Sequence, residues 1–228
     1  MDVKKKIRLS GFLILLGMAA GIFSVAPAID ASAYLTEAAK NFNQVIIAAL
    51  FQLILSLAYL GFAILVYPLI KRYSGSFSLG FLSFRVVAVC LSVMGIIVLL
   101  SVLTMSELLV QNGMQDTPAI ALLGGVLRSM RDLINHVFMV VMLCMANVML
   151  YFLFLRKKLL PRWISVWGIC GAVLSVVASI LILFKVMDII TYEYLLLNAP
   201  TGIFEIFLGI WLMVKGLDIQ CGFVSQNN

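Results

Sequence analysis

The chain has 228 residues, 64% hydrophobic and 11% charged, with a formal net charge of +6 and a mean hydropathy of +1.14. Soluble domains sit near about 45–50% apolar and about 25% charged, so a water-soluble globule is excluded, whereas a bilayer accepts this much apolar surface. Six spans of about 21 residues would use roughly 126 positions, leaving short loops and no separate soluble domain.

Lys4, Lys5, Lys6 and Arg8 precede an apolar run from Leu9 to Ile29. The basic flank and the small residues Ala26-Pro27-Ala28 or Ala31-Ser32-Ala33 also fit a signal peptide. The run exceeds the usual apolar core of about 7–15 residues, however, and reads as a retained first span. Gly17 and Gly21 form a GxxxG pair, suited to bundle packing or to dimerisation. After a polar connection from Asp30 to Asn43, a second span runs from about Gln44 to Ile70. It stops at Lys71-Arg72, with Tyr67 as an interfacial aromatic and Pro68 bending its last turn.

A third span, about Leu79 to Val110, is longer than a core of about 30 Å needs, so it tilts or protrudes. It carries Arg85 about 9 Å from its start. Gln111 to Pro118 is a turn. Ala119 to Leu127 reads either as an interfacial helix or as the protruding first turns of the fourth span. That span runs from Arg128 to Leu155 and stops at Arg156-Lys157-Lys158. Pro161 and Trp163 mark a surface turn. The fifth span, about Trp163 to Phe184, offers Gly168, Gly171, Ala172 and Ser175 for close packing. The sixth, about Leu195 to Val214, is expected to be interrupted at Asn198-Ala199-Pro200 and to close at Lys215. The predicted fold is an all-α polytopic membrane bundle of six transmembrane helices over residues 1–217, with a flexible cytoplasmic tail at 218–228.

With the N-terminus inside, Lys4, Lys5, Lys6, Arg8, Lys71, Arg72, Arg156, Lys157, Lys158, Arg162 and Lys215 fall on the inner side. Only Lys40, Arg128, Arg131 and Lys185 fall outside, together with the acids Asp30, Glu37, Glu107, Asp116, Asp132, Asp188 and Glu193. This bias puts both termini in the cytoplasm. The positive charge is then a topogenic and lipid-headgroup signal, and nucleic acid is not an expected partner.

Cys90, Cys144 and Cys170 lie in apolar runs and Cys221 in the tail, with no CxxC pair or Cys/His cluster, so neither a metal nor a cofactor is expected. One histidine cannot supply bis-histidine haem ligation. Met142, Met145 and Met149 read as gap fillers rather than a Cu(I) site. The sequence contains no GxSxG, HExxH or Walker loop and no paired acids at one depth, so catalysis is not expected. A lipid-directed membrane enzyme is the weakest reading.

On an ideal helical wheel Arg128, Asp132, Asn135, His136, Met139 and Asn147 fall within roughly 120°. Such a stripe is costly against lipid and should face the bundle interior or a water-filled cavity. Arg128 and Asp132 also fit helix–helix glue. His136 fits either a headgroup-level hydrogen bond or a proton acceptor or substrate contact at an outer mouth. Glu205 lies about 15 Å from Lys215, counted along the helix, and Asn147 at a similar depth. A carboxyl group there must be protonated or paired. A helix broken at Pro200 just before it would build the kind of midplane site that transporters use. The alternative is a neutral, structural Glu205 bonded to Asn147 or to backbone. Arg85 shares this depth, and either pairs with Glu205 or snorkels to inner phosphates. The candidate intramembrane polar site is thus Glu205, Asn147, Arg85, His136 and Asp132.

Three passages carry a family resemblance: Gly80-Phe-Leu-Ser-Phe-Arg85, Leu160-Pro-Arg-Trp163, and Ala199-Pro-Thr-Gly-Ile-Phe-Glu205 through Trp211-Leu-Met-Val-Lys-Gly216. With these in order from Ile7 to Leu217, the chain resembles a bacterial multi-pass membrane family known only as domain of unknown function 4386. The resemblance implies a multi-pass protein of the bacterial inner (plasma) membrane and brings no activity, substrate or cofactor. The expectation is an integral membrane protein that acts by binding, or by modulating a partner or lipid, without catalysis. The alternative is a small proton-coupled permease with a midplane Glu205 site. Expected partners are the lipid bilayer and, through small-residue helix faces, a second copy or another membrane protein.

Overall fold

In oil the backbone has no solvent to bond, so each apolar run must satisfy its own amides as helix. The computed structural model describes residues 2–113, 117–189 and 191–218, and every regular element among them is helical. The order is α1 (Val3–Phe23), α2 (Pro27–Asp30), α3 (Tyr34–Lys40), α4 (Phe42–Ile70), α5 (Gly75–Gln111), α6 (Pro118–Asp132), α7 (Met139–Lys157), α8 (Arg162–Leu183) and α9 (Tyr192–Val214). A π-helical turn, Leu133–Phe138, joins α6 to α7. With α6–α7 taken as one, six helices are long and apolar enough to cross a membrane. Asp116, Cys221 and, apart from Asp218, the expected tail at 218–228 lie outside the described residues.

Local chemistry sets the ends. The Ser74 hydroxyl accepts from Phe77 N at the start of α5, and the Thr191 hydroxyl accepts from Tyr194 N at the start of α9, each meeting an otherwise orphaned helix donor. α9 ends where Gly216 turns to φ +79°, a conformation glycine adopts without strain.

α1 packs on α4, α4 on α5, α5 on α7, α7 on α8, α8 on α9, and α9 back on α1. The spans therefore form a closed ring. Small residues let it close: a Cβ placed on Gly11 would lie 2.5 Å from the carbonyl oxygen of Gly209. Gly17 meets the Tyr59 ring, Gly21 meets Leu55, Gly168 meets Tyr151 and Phe204, and Gly171 meets Thr201. The GxxxG face and the small-residue face of α8 are thus occupied within the chain.

We call the end of the ring that carries Val3 and Val214 proximal and the other distal. One buried cluster draws on all six spans, including Ile14, Phe62, Phe81, Phe154, Ile164 and Phe204, and fills the interior towards the proximal end. At the distal end α2 and α3 fold across the bundle, where Ile29 and Ala38 pack with Val45, Val102 and Leu103. The Ser106 hydroxyl donates to Leu35 O at 2.6 Å and accepts from Ala39 N at 2.9 Å, which ties α3 to α5. Ile47, Leu57, Ile97, Val173 and Ile203 point outward and are exposed, as a lipid-facing surface requires.

Two expectations change. α9 is not interrupted: the helix runs through Pro200. Proline removes one ladder bond, and a membrane helix tolerates this when its neighbours pack around it. Ala119 to Leu127 is no separate interfacial helix, because α6 continues through the π-turn into α7. The π-turn also rotates everything after it by about 100° relative to an unbroken helical wheel, so Asn147 leaves the stripe that holds Asn135 and His136.

Candidate functional site

Polar groups collect in two places inside the ring. The inner cluster is built on Arg85, which is 2% exposed. Its Nη2 donates to Asn147 Oδ1 at 2.5 Å. Its guanidinium carbon lies 5.1, 5.3 and 5.8 Å from the ring centroids of Tyr59, Phe62 and Phe81. Arginine tolerates this site because its charge is delocalised, weakly hydrated and attracted to aromatic faces. Its Nε and Nη1 have no hydrogen-bond partner among the described residues.

Tyr59 offers its ring face to Arg85 and donates its hydroxyl to Glu205 Oε2 at 2.5 Å. Among the described residues Arg85 and Glu205 form no ion pair within 4.0 Å. Arg85 therefore neither pairs directly with Glu205 nor snorkels to a membrane surface. The expected Glu205–Asn147 bond is absent for the same reason: Asn147 is taken by Arg85, and Tyr59 supplies the partner for Glu205.

The outer cluster lines a cavity of about 370 Å³ at the distal end, walled by every span except α8. Gln52 of α4 donates from Nε2 to Asn135 Oδ1 at 3.1 Å and to Ser92 O at 3.2 Å. Ser56 donates to the Ser92 hydroxyl at 2.7 Å. Asn135 sits over Gly95, where any Cβ would overlap its amide. The other polar atom of each amide, Gln52 Oε1 and Asn135 Nδ2, has no partner among the described residues, and neither is sealed from the cavity. His136 Nδ1 lies 3.0 Å from the Tyr194 hydroxyl, with the rings edge to face. The Ser179 hydroxyl of α8 donates to His136 O at 3.1 Å, so α8 satisfies a carbonyl of the π-turn. At the rim Arg131 Nη1 lies 2.7 Å from Asp30 Oδ1 and 3.6 Å from Asp132 Oδ1. Arg128 donates to the backbone carbonyls of Asp30 and Ala31.

The five predicted residues thus divide. Arg85, Asn147 and Glu205 meet around Tyr59. His136 lines the cavity, and Asp132 reaches its rim only through Arg131. Gln52, Tyr59, Tyr194 and the Asp30–Arg131 pair were missed. One signal was legible: Gln52, Ser56 and Tyr59 fall on one face of α4, an unusual polar row in an otherwise aliphatic span. No group of three or more His, Cys, Asp or Glu among the described residues could hold a metal ion. Neither cluster pairs a nucleophile with a base. What the cavity offers is a donor and an acceptor side by side.

A closed ring of six membrane-length helices, with a polar cavity at one end and a buried guanidinium deeper in, defines a multi-pass integral membrane protein. A family model described as a domain of unknown function, DUF4386, matches residues 9–216, and the chain belongs to that family. No curated protein and no solved structure matches it.

Proposed function

We propose that this is a binding protein of the bacterial inner membrane, with both termini in the cytoplasm and no catalytic activity, that receives a small ligand in its distal cavity. The carrying observation is the pair of unpartnered amide atoms, Gln52 Oε1 and Asn135 Nδ2, facing a space of about 370 Å³. Ligand sites have this size and this character, a mostly apolar wall with a few convergent polar groups. A buried donor and acceptor left unmet cost about 1–3 kcal/mol each, which a ligand would recover. The basic residues gather at the proximal end, which supports a cytoplasmic proximal face and an outward distal face.

Native mass spectrometry of the protein released from nanodiscs tests the reading. The wild-type chain should carry a retained small molecule that Gln52→Leu and Asn135→Leu lose while still folding. A wild-type chain free of any retained molecule in every lipid composition tried would sink it. The permease alternative draws on the α4 row, in which Ser56 belongs to the cavity network and Tyr59, one turn further, holds Glu205. Unchanged pH-dependent flux for Glu205→Gln in proteoliposomes would remove it.

A further inference from the structure

We infer that the ligand is a membrane-borne amphiphile, with an uncharged hydrogen-bonding head and a long apolar tail, that reaches the cavity sideways from the distal leaflet between α1 and α9. The inference rests on the binding reading above.

The head follows from the polar end of the cavity. Gln52 Oε1 accepts and Asn135 Nδ2 donates, so the complementary group both donates and accepts, as a carboxamide or a hydroxyl does. The nearby charges are already matched: Arg131 lies between Asp30 and Asp132, and Arg128 is engaged by carbonyls. A charged head would lose its hydration without gaining a free counter-ion.

The tail and the route follow from the walls. Val25, Leu55, Met139 and Leu195 make the rest of the lining apolar. The axial mouth is roofed by α2, which Arg128 and Arg131 hold down. The side is different. α1 and α9 meet tightly at Gly11 and Gly209, towards the proximal end. Further out, Val25 of α1 and Leu195 of α9 line the cavity, yet they are 52% and 55% exposed. Residues that face both the cavity and the outside form the edges of an opening. Their apolar neighbours Ile22, Phe23 and Leu196 are also exposed, so that opening meets acyl chains rather than water.

The test uses the full chain in nanodiscs with two probes, hexadecanamide and the short, water-soluble butanamide. Hexadecanamide should bind, and Gln52→Leu should weaken it by about tenfold or more, as loss of one or two hydrogen bonds implies. If Gln52→Leu does not fold, Gln52→Met removes the same polar atoms and keeps the side-chain length. Butanamide should neither bind nor compete. The double variant Val25→Trp with Leu195→Trp, which thickens both edges without touching the amide pair, should slow uptake more than it lowers final occupancy. Butanamide binding as tightly as hexadecanamide, or uptake by the edge variant at the wild-type rate, overturns the lateral route and the tail while leaving the binding reading intact. Displacement of hexadecanamide by an equal concentration of hexadecanoate overturns the uncharged head. Binding of neither amide, with a different retained molecule lost on Gln52→Leu, rejects this ligand class and keeps the site.

Discussion

Replacing Asn147 by leucine takes from Arg85 its one hydrogen-bond partner among the described residues. Leucine is close to asparagine in size, so the change is chemical rather than steric. Removing one partner of a buried charged pair costs about 3–5 kcal/mol, because the remaining charge is left desolvated and unmatched. The faces of Tyr59, Phe62 and Phe81 stay in place and at about 0.5–2 kcal/mol each offset part of the loss. The expected destabilisation is therefore near the lower bound, about 3 kcal/mol. Arg85→Met leaves Asn147 unmet but removes the charge, and should cost about 1–3 kcal/mol. The double variant leaves no polar group stranded and should be more stable than the sum of the singles predicts, by about 2 kcal/mol. Unfolding in mixed micelles can be followed by the fluorescence of Trp163, Trp167 and Trp211, which cluster at the proximal ends of α8 and α9. If Asn147→Leu falls within about 0.5 kcal/mol of wild type, or if the two changes simply add within about 0.5 kcal/mol, Arg85 is solvated by something other than Asn147 and the account of the inner cluster fails.

Three further outcomes follow from named contacts. Gly95→Ala drives a methyl into the Asn135 amide and should cost about 1–3 kcal/mol as overpacking, with ligand retention reduced along with thermal stability in nanodiscs. Tyr59→Phe keeps the ring over Arg85 but strands Glu205; a loss of about 1–3 kcal/mol is expected, and Glu205→Gln made in the Tyr59→Phe background should recover part of it. Pro200→Ala should leave stability unchanged or raise it, since proline inside an unbroken helix is unfavourable. A thermal midpoint that drops clearly would show that the proline shapes α9 in a way its regular course does not reveal.

The spans were legible because hydropathy and the basic stops act locally: Lys71-Arg72, Arg156-Lys157-Lys158 and Lys215 end helices close to where the charge pattern puts them. The inner cluster was half legible. Cost alone picks out Arg85, Asn147 and Glu205, but their pairing depends on Tyr59, whose hydroxyl and ring serve two neighbours at once and which carries no charge to flag it. The outer cluster was less legible still. Gln52 is neutral, Arg131 reads as one more topogenic charge, and the π-turn that turns Asn135 and His136 inward follows no local sequence rule. Pro200 misled for a related reason. In water a mid-helix proline is a strong breaker, whereas within a membrane the broken ladder has no water to bond, so the helix persists.

The two ends of the ring are filled by different means, and this asymmetry supports the binding reading over a through-path. Towards the proximal end, aromatic and branched side chains from all six spans close the interior. Towards the distal end the same ring is lined by amides, hydroxyls and small residues that leave space. The π-turn belongs to the open half. It exposes a carbonyl that an α-helix would have covered, and Ser179 of α8 meets it. α8 is the one span that does not line the cavity; its polar contribution supports the wall from behind. A turn with poorer hydrogen-bond geometry persists where neighbouring structure over-determines it, and such turns are frequent at functional sites. Here that support comes from Ser179 behind His136 and from Gly95 beneath Asn135, so the chain holds two polar side chains at a cavity that an unbroken helix would have turned elsewhere.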